Sequence, residues 1–285
     1  MSGRRLTLWA AAKLNLTLGV GERRADGYHE IRSVMQKISL YDTLSFAKAD
    51  EICFTSDLKY LPNDERNLCV KAARLYFEAA GIDGGVDIRV RKAIPVGAGL
   101  GGGSADAACT LRALCALYRP LDRETLHALA LSLGADVAFC LSEDTTCLCE
   151  GVGEVLTPIV RGGSAPIYLV LVKNDRKLST ASVYGAFDSM PARPIPSDEK
   201  VLAALQSGDA KLLSENLFNM LEQPVFAQKP ALSDLLAEFA ALGALGARMS
   251  GAGPTVYGVF DSQESALKAA AHFESAPFCR IATLL

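Results

Sequence analysis

The sequence holds three histidines in 285 residues, one tryptophan, and no two of its eight cysteines at C-x-x-C spacing. Zinc ribbons and dithiol redox motifs are excluded by that spacing and by the shortage of imidazole. The cysteines are scattered at positions 53, 69, 109, 115, 140, 147, 149 and 279. Cys109, Cys115 and Cys140 sit among alanine and leucine, where a free thiol behaves as a small core hydrophobe. A reducing, cytoplasmic setting follows. Neither charge is in excess: 29 Lys and Arg face 32 Asp and Glu, a net charge of −3. No global field is available to hold a polyphosphate backbone, so nucleic-acid binding is disfavoured. Long apolar runs are missing too. Stretches such as 167–172 fall far below the ~18 residues of a membrane span, so no membrane partner is expected. Arg4 and Arg5 before an apolar stretch imitate a secretory signal, but Lys13 and Asn15 interrupt it.

What is present is half hydrophobic, enough for a sizeable core in one large domain or two modest ones. Residues 6–18 read as one strand, with Leu14, Leu16 and Leu18 on one face and Lys13, Asn15 and Thr17 on the other. A polar loop is predicted over 19–28 and a strand over 33–40. A helical stripe over 67–80 is closed by Gly81. Val86, Ile88 and Val90 alternate with charged residues as a half-buried strand. Helices follow over 104–118 and, capped by Asp122, to Leu133. Strands are predicted over 147–150, 154–159 and 167–172, with a linker at 161–166. The remainder predicts helices over 180–189, 198–205, 210–221, 231–242 and 262–273, a strand–loop–strand unit over 247–260, and a final strand over 279–283. Helices and strands mix without regular βαβ alternation, which makes the class α+β.

Residues 97–103 contain five glycines, Gly97, Gly99, Gly101, Gly102 and Gly103, with Leu100 among them. Such a loop lets backbone N–H groups converge on an anion, because no Cβ blocks approach. It runs into a helix start, where Ser104 adds a hydroxyl and the first amides add partial positive charge. Strand, glycine loop, helix start: this is a phosphate cradle. It is not a Walker A motif, which needs Lys before Ser or Thr where Gly103 stands. Gly97, Gly99 and Gly102 match G-x-G-x-x-G, but no second strand ending in an acidic residue follows. Protein-kinase H-R-D and D-F-G motifs are absent.

The segment Pro95-Val-Gly-Ala-Gly-Leu-Gly-Gly-Gly-Ser-Ala-Asp-Ala-Ala108 resembles the central motif of the GHMP kinases, the galactokinase, homoserine, mevalonate and phosphomevalonate kinase superfamily. Ala12-Lys13-Leu14-Asn15-Leu16 resembles its first motif, and Arg248-Met-Ser-Gly-Ala-Gly-Pro-Thr255 its third. Arg24-Ala-Asp-Gly-Tyr-His29 and Gly134-Ala-Asp136 resemble the members that act on a cytidine-diphosphate-linked methylerythritol. Two positions depart from the pattern: Ala11 where proline is frequent, and Ala252 where a hydroxyl residue is.

The resemblance implies a two-domain α+β fold, with a ribosomal protein S5 domain 2-like part over 1–163 and a ferredoxin-like part over 164–285. ATP would lie over Pro95, Gly97, Gly99, Leu100, Gly101, Gly102, Gly103 and Ser104, with Mg²⁺ bridging its outer phosphates. Asn67 and Leu68 fall where the family contacts adenine. The reaction would move the γ-phosphate to the 2-hydroxyl of 4-(cytidine 5'-diphospho)-2-C-methyl-D-erythritol, in non-mevalonate isoprenoid precursor synthesis.

Taken alone, Asp136 reads as a helix N-cap and Lys13 as a strand lysine reaching solvent. The resemblance instead makes Asp136 the general base and Lys13 its electrostatic partner, with Asn15 orienting the acceptor hydroxyl. Tyr28 would stack on cytosine and His29 would bond its edge. Tyr184 is the second stacking aromatic, with Phe187 close by as an alternative. Arg89, Arg91 and Lys92 read most simply as a solvated strand face, although Lys92 lies close to the nucleotide loop. A homoserine or mevalonate-type kinase is the near rival, disfavoured because those acceptors carry no base to stack. A dinucleotide-dependent oxidoreductase and an S5-like nucleic-acid module are the distant ones. The chain is expected to be a monomer or weak homodimer with a small-molecule substrate.

Overall fold

The computed structural model describes residues 5–174 and 178–285. In chain order the elements are β1 (Leu6–Asn15), β2 (Thr17–Arg23), β3 (His29–Ala49), β4 (Cys53–Ser56), α1 (Leu68–Ala80), β5 (Gly85–Arg91), α2 (Gly102–Leu117), α3 (Arg123–Leu133), α4 (Ala135–Leu141), β6 (Thr146–Glu150), β7 (Val155–Pro158) and β8 (Tyr168–Lys173). There follow α5 (Thr180–Asp188), α6 (Glu199–Ser207), α7 (Ala210–Glu215), β9 (Phe218–Asn219), α8 (Glu222–Gln228), α9 (Pro230–Ala241), β10 (Gly246–Met249), β11 (Val256–Phe260), α10 (Gln263–His272) and β12 (Phe278–Thr283). The class is α+β, as the sequence predicts. Two compact units are built from interleaved segments: residues 5–12, Leu40–Val96 and Gly101–Glu143 form the first, and Lys13–Ser39, Gly97–Leu100 and Asp144–Leu285 the second.

In the first unit the later half of β3 pairs antiparallel with β5, setting Leu44 opposite Val90 and Phe46 opposite Ile88. β4 then adds in parallel to β5. The alternating residues Val86, Ile88 and Val90 are all buried, so the period-two pattern reports a true core face. α1 begins where the Asn67 side chain accepts the Cys69 N–H, satisfying one of the amides a helix start leaves open. Asp122 does the same for α3 through the Thr125 N–H. α2 is different: Gly101 precedes it in the left-handed region (φ 67°), and no side chain caps its first turn.

The second unit carries the antiparallel sheet β10-β11-β8-β12. Val170 and Val172 on β8, Phe260 on β11, and Leu232, Leu235 and Phe239 on α9 close into one core with Ala266 and Ala269 of α10. The first half of β3 pairs with β2 and with β6, and β2 takes β9 in parallel along its other edge.

Several predicted spans change. The strand over 6–18 breaks at Leu16 into β1 and β2, and both faces are buried over 12–18, while Thr7 and Trp9 near its start are exposed. The loop over 19–28 shrinks to 24–28, because Gly19 and Val20 find partners in Arg32 and Ile31. β3 outruns its predicted eight residues because several strands pair along it. The helix over 210–221 stops at Glu215; beyond it Phe218 and Asn219 pair with Thr17 and Leu18 of β2. α8 was not expected, since Pro224 discourages a helix, yet it sits in the first turn, where its missing N–H is not needed. All eight cysteines are free, with Cys109 and Cys140 buried and Cys115 half-buried.

Candidate active site

In the second unit the end of β1 meets two glycine turns. The backbone N–H of Lys13 donates to the Leu100 carbonyl at 3.0 Å, tying the first half of the glycine loop to the strand. The Lys13 side chain is 4% exposed, and its Nζ donates to Asn15 Oδ1 at 2.9 Å. Lys13 therefore does not reach solvent. Asn15 Nδ2 donates to Ser33 Oγ, and Ser33 donates on to the Thr17 carbonyl, so the amide is held in one orientation. Tyr257, fully buried on β11, donates its hydroxyl to the Asn15 carbonyl.

The turn between β10 and β11, within the third motif, closes on this group. A Cβ at Gly251 would lie 3.3 Å from Asn15 Oδ1. Ser250 Oγ donates to the Gly99 carbonyl at 2.9 Å, and the Thr255 N–H to the Ala98 carbonyl at 3.3 Å. Gly99 has φ 78°, and a Cβ there would stand 2.2 Å from the Ser250 carbonyl oxygen. Only glycine fits such a contact. Asn219 donates to the Met249 and Gly251 carbonyls at 2.8 Å each, pinning the turn from behind. The three motifs that sequence reasoning selected thus share one polar cluster through Lys13, Asn15, Gly99 and Gly251.

The same unit holds an aromatic group. His29 opens β3, is buried, and donates Nε2–H to Asp188 Oδ1 at 2.6 Å. Its ring lies 5.1 Å from that of Tyr184 and meets Phe187 edge-on at 6.3 Å. Both candidate aromatics of α5 therefore pack against His29, Tyr184 the closer. Tyr28 beside it is 67% exposed, an unusual setting for so large a ring.

In the first unit Pro95 precedes the loop, and Gly101, Gly102, Gly103 and Ser104 form the start of α2. A Cβ at Gly103 would touch Leu68, which places α1's first residue beside that turn. The Asn67 side chain is engaged in the helix cap and in a bond to the Pro62 carbonyl. Asp136 sits in the first turn of α4, followed by the buried Val137, Ala138, Phe139 and Cys140. A carboxylate there is favoured by the helix N-terminus. Lys13 and Asp136 belong to different units.

The solvated face expected at 89–92 is half right. Arg89 is exposed and bonds Asp87, but Lys92 is enclosed between Asp42 and Asp106. Burial, opposed by Lys92 and reinforced by Asp42, pushes the Asp106 carboxyl up to about 7. Burial likewise raises Glu222, whose carboxylate accepts the Met249 N–H, to about 7. Sequence reasoning missed Ser33, Asn219, Tyr257 and Asp188. Of these only Asp188 carried a signal, as an acidic residue one position after Phe187.

Residues 67–144 match the family model "GHMP kinases N terminal domain", and residues 201–278 the model "GHMP kinases C terminal". The homoserine kinase of Cytophaga hutchinsonii shares the fold at a TM-score of 0.75 and 19% identity, over 100% of this chain and 96% of that one. The fold is the two-domain GHMP kinase fold, that of ATP-dependent small-molecule kinases. The chain is 42% identical to the 4-diphosphocytidyl-2-C-methyl-D-erythritol kinase of Clostridium botulinum (strain Kyoto / Type A2), over 88% of this chain and 90% of the relative. A crystal structure of 4-(cytidine 5'-diphospho)-2C-methyl-D-erythritol kinase superposes at a TM-score of 0.83 with 37% identity, covering 98% of this chain and 99% of that one. The chain belongs to the 4-diphosphocytidyl-2-C-methyl-D-erythritol kinase family of GHMP kinases.

Proposed function

We propose that the protein transfers the γ-phosphate of ATP to the 2-hydroxyl of 4-(cytidine 5'-diphospho)-2-C-methyl-D-erythritol, a step toward isoprenoid precursors in the cytoplasm. The observation that carries the choice of acceptor is the aromatic group: an exposed Tyr28 beside a His29 that Tyr184 and Asp188 hold in place. A cytosine stacks on such a ring, whereas homoserine and mevalonate have no base to offer. No helix among the described residues is long and apolar enough to cross a membrane.

In this reading the uncapped start of α2 and the loop ahead of it hold the ATP phosphates through backbone N–H groups. Among the described residues no three His, Cys, Asp or Glu side chains gather to hold a metal. A magnesium ion accompanying the nucleotide would be carried on the phosphates held by residues 101–104 and would offset their charge. Asp136 takes the proton of the acceptor hydroxyl, and Lys13 acts with it by offsetting charge on the attacking oxygen. Asn15, fixed by Ser33, orients that hydroxyl. We place the boundary between the two family domains along the sequence near residues 163 and 164, apart from the interleaving of the two compact units.

An assay of ATP consumption against cytidine-linked methylerythritol, homoserine, mevalonate and galactose tests the proposal. Turnover confined to the first supports it; equal turnover of a base-free acceptor leaves only a generic GHMP kinase. Gly101→Val puts a β-branched side chain at φ 67°, where the phosphates approach, so the KM for ATP should rise steeply. An unchanged KM in the folded variant would remove the nucleotide from this loop.

A further inference from the structure

We propose that Lys92, clasped between Asp42 and Asp106 against the first turn of α2, is a positioning residue for the nucleotide-phosphate loop. The proposal rests on the reading that this loop holds ATP. Lys92 Nζ donates to Asp42 Oδ2 at 2.5 Å and to Asp106 Oδ2 at 2.6 Å. The three side chains are 5%, 0% and 8% exposed. A Cβ on Gly102 would stand 3.5 Å from Lys92 Nζ and 2.9 Å from the Ile94 side chain, so the ammonium lies against the backbone of α2's first residue. Asp42 Oδ1 accepts the N–H groups of Ala93 and Ile94 at 2.6 and 2.9 Å, and the Lys92 N–H donates to Asp57. One ammonium thus ties β3, the exit of β5 and α2 to a single point, immediately before Pro95 and the loop.

The two carboxylates are not equivalent. Asp42 accepts from the ammonium and from two backbone amides. Asp106 has the ammonium on Oδ2, while its Oδ1 is buried without a hydrogen bond. Asp106 is therefore the group that takes a proton, in keeping with its rise to about 7. Among the described residues, the other titratable groups about the cluster are Asp57, whose Oδ1 accepts the Lys92 N–H, Cys69 on α1 and Cys109 on α2, with Arg112 beyond Cys109. Burial raises both thiols, Cys109 to about 12, so both stay neutral near pH 7. Arg112 donates to the Cys140 carbonyl. The sign then follows. Below about pH 7 the trio of Asp42, Lys92 and protonated Asp106 is neutral; above it, the trio carries one negative charge beside a helix start that must hold phosphates. ATP affinity falls as pH rises through that value.

The test measures KM for ATP, KM for the alcohol acceptor and kcat from about pH 6 to about pH 8.5, the window in which Asp106 changes charge. The proteins are the parent, Asp106→Asn, the double variant Lys92→Met with Asp106→Asn, and Lys92→Arg, each checked for a cooperative thermal transition. The parent's KM for ATP should rise about three- to tenfold across the window. Asp106→Asn should flatten that rise to about twofold or less, the variant-to-parent ratio cancelling the nucleotide's own titration. The double variant keeps the charge of the ionised cluster but loses the clasp. Its KM for ATP should rise about tenfold while kcat and the acceptor KM stay within about twofold. Lys92→Arg keeps a cation for the buried carboxylates, should the double variant not fold, and should show the same KM-only change. A variant-to-parent ratio independent of pH, or losses spread equally over both KM values and kcat, would overturn the positioning role. A parent that did not use ATP would overturn the kinase reading and this proposal with it, a result visible before any variant is made.

Discussion

Lys13 and Lys92 look alike in the sequence, each a cation beside an alternating stretch, and the fold buries both against polar partners of different kinds. The Lys13 ammonium donates to the neutral amide oxygen of Asn15, whereas Lys92 is gripped by two carboxylates. The Asn15 amide oxygen orients the Lys13 ammonium within the cluster of β1 and the two glycine turns. Paired carboxylates offset the charge of Lys92 and lock it in place, which suits a group that shapes backbone. Burial is common to both.

The comparison breaks most sharply if Lys13 is removed. Lys13→Ala should lower kcat by ~10²–10⁴-fold with a nearly unchanged KM for ATP. The proposed pairing with Asp136 predicts that the double variant loses far less than the product of the single losses. A multiplicative loss in the double variant would separate them. The next effect is on stability and belongs to the other lysine. Asp42→Ala leaves Lys92 with one carboxylate and strands the amides of Ala93 and Ile94, so urea unfolding should show a loss of about 3–5 kcal/mol. A loss below about 1 kcal/mol would mean that water reaches the cluster freely. Tyr28→Ala should leave stability alone and weaken acceptor binding by ~1–3 kcal/mol, with ATP affinity unaffected. Equal weakening of both substrates would place the ring elsewhere in the mechanism.

Local signals in the sequence were legible. The five-glycine loop, the Gly81 stop, the Asp122 cap and the alternation at Val86, Ile88 and Val90 each arise from residues a few positions apart, and each is found in place. What depends on distant pairing was not legible. β3 extends to 21 residues because β2, β5 and β6 pair along it, and β9 exists only because β2 has an edge to offer. The partners of Lys92 lie 50 and 14 residues away, so a strand pattern gave no hint that it is enclosed. Asn219 is a lone amide after a short helix, and no periodicity marks it as the pin of the turn that carries Gly251. Lys13 itself was selected through its motif, while its burial came from the second face of β1, which alternation assigns to solvent.

The most direct test of the account is kcat of folded Asp136→Asn at saturating ATP and cytidine-linked methylerythritol. The substitution preserves shape and removes basicity, so kcat should collapse by ~10²–10⁴-fold while both substrates still bind. Turnover within a few-fold of the parent would contradict the account and remove Asp136 from the chemistry.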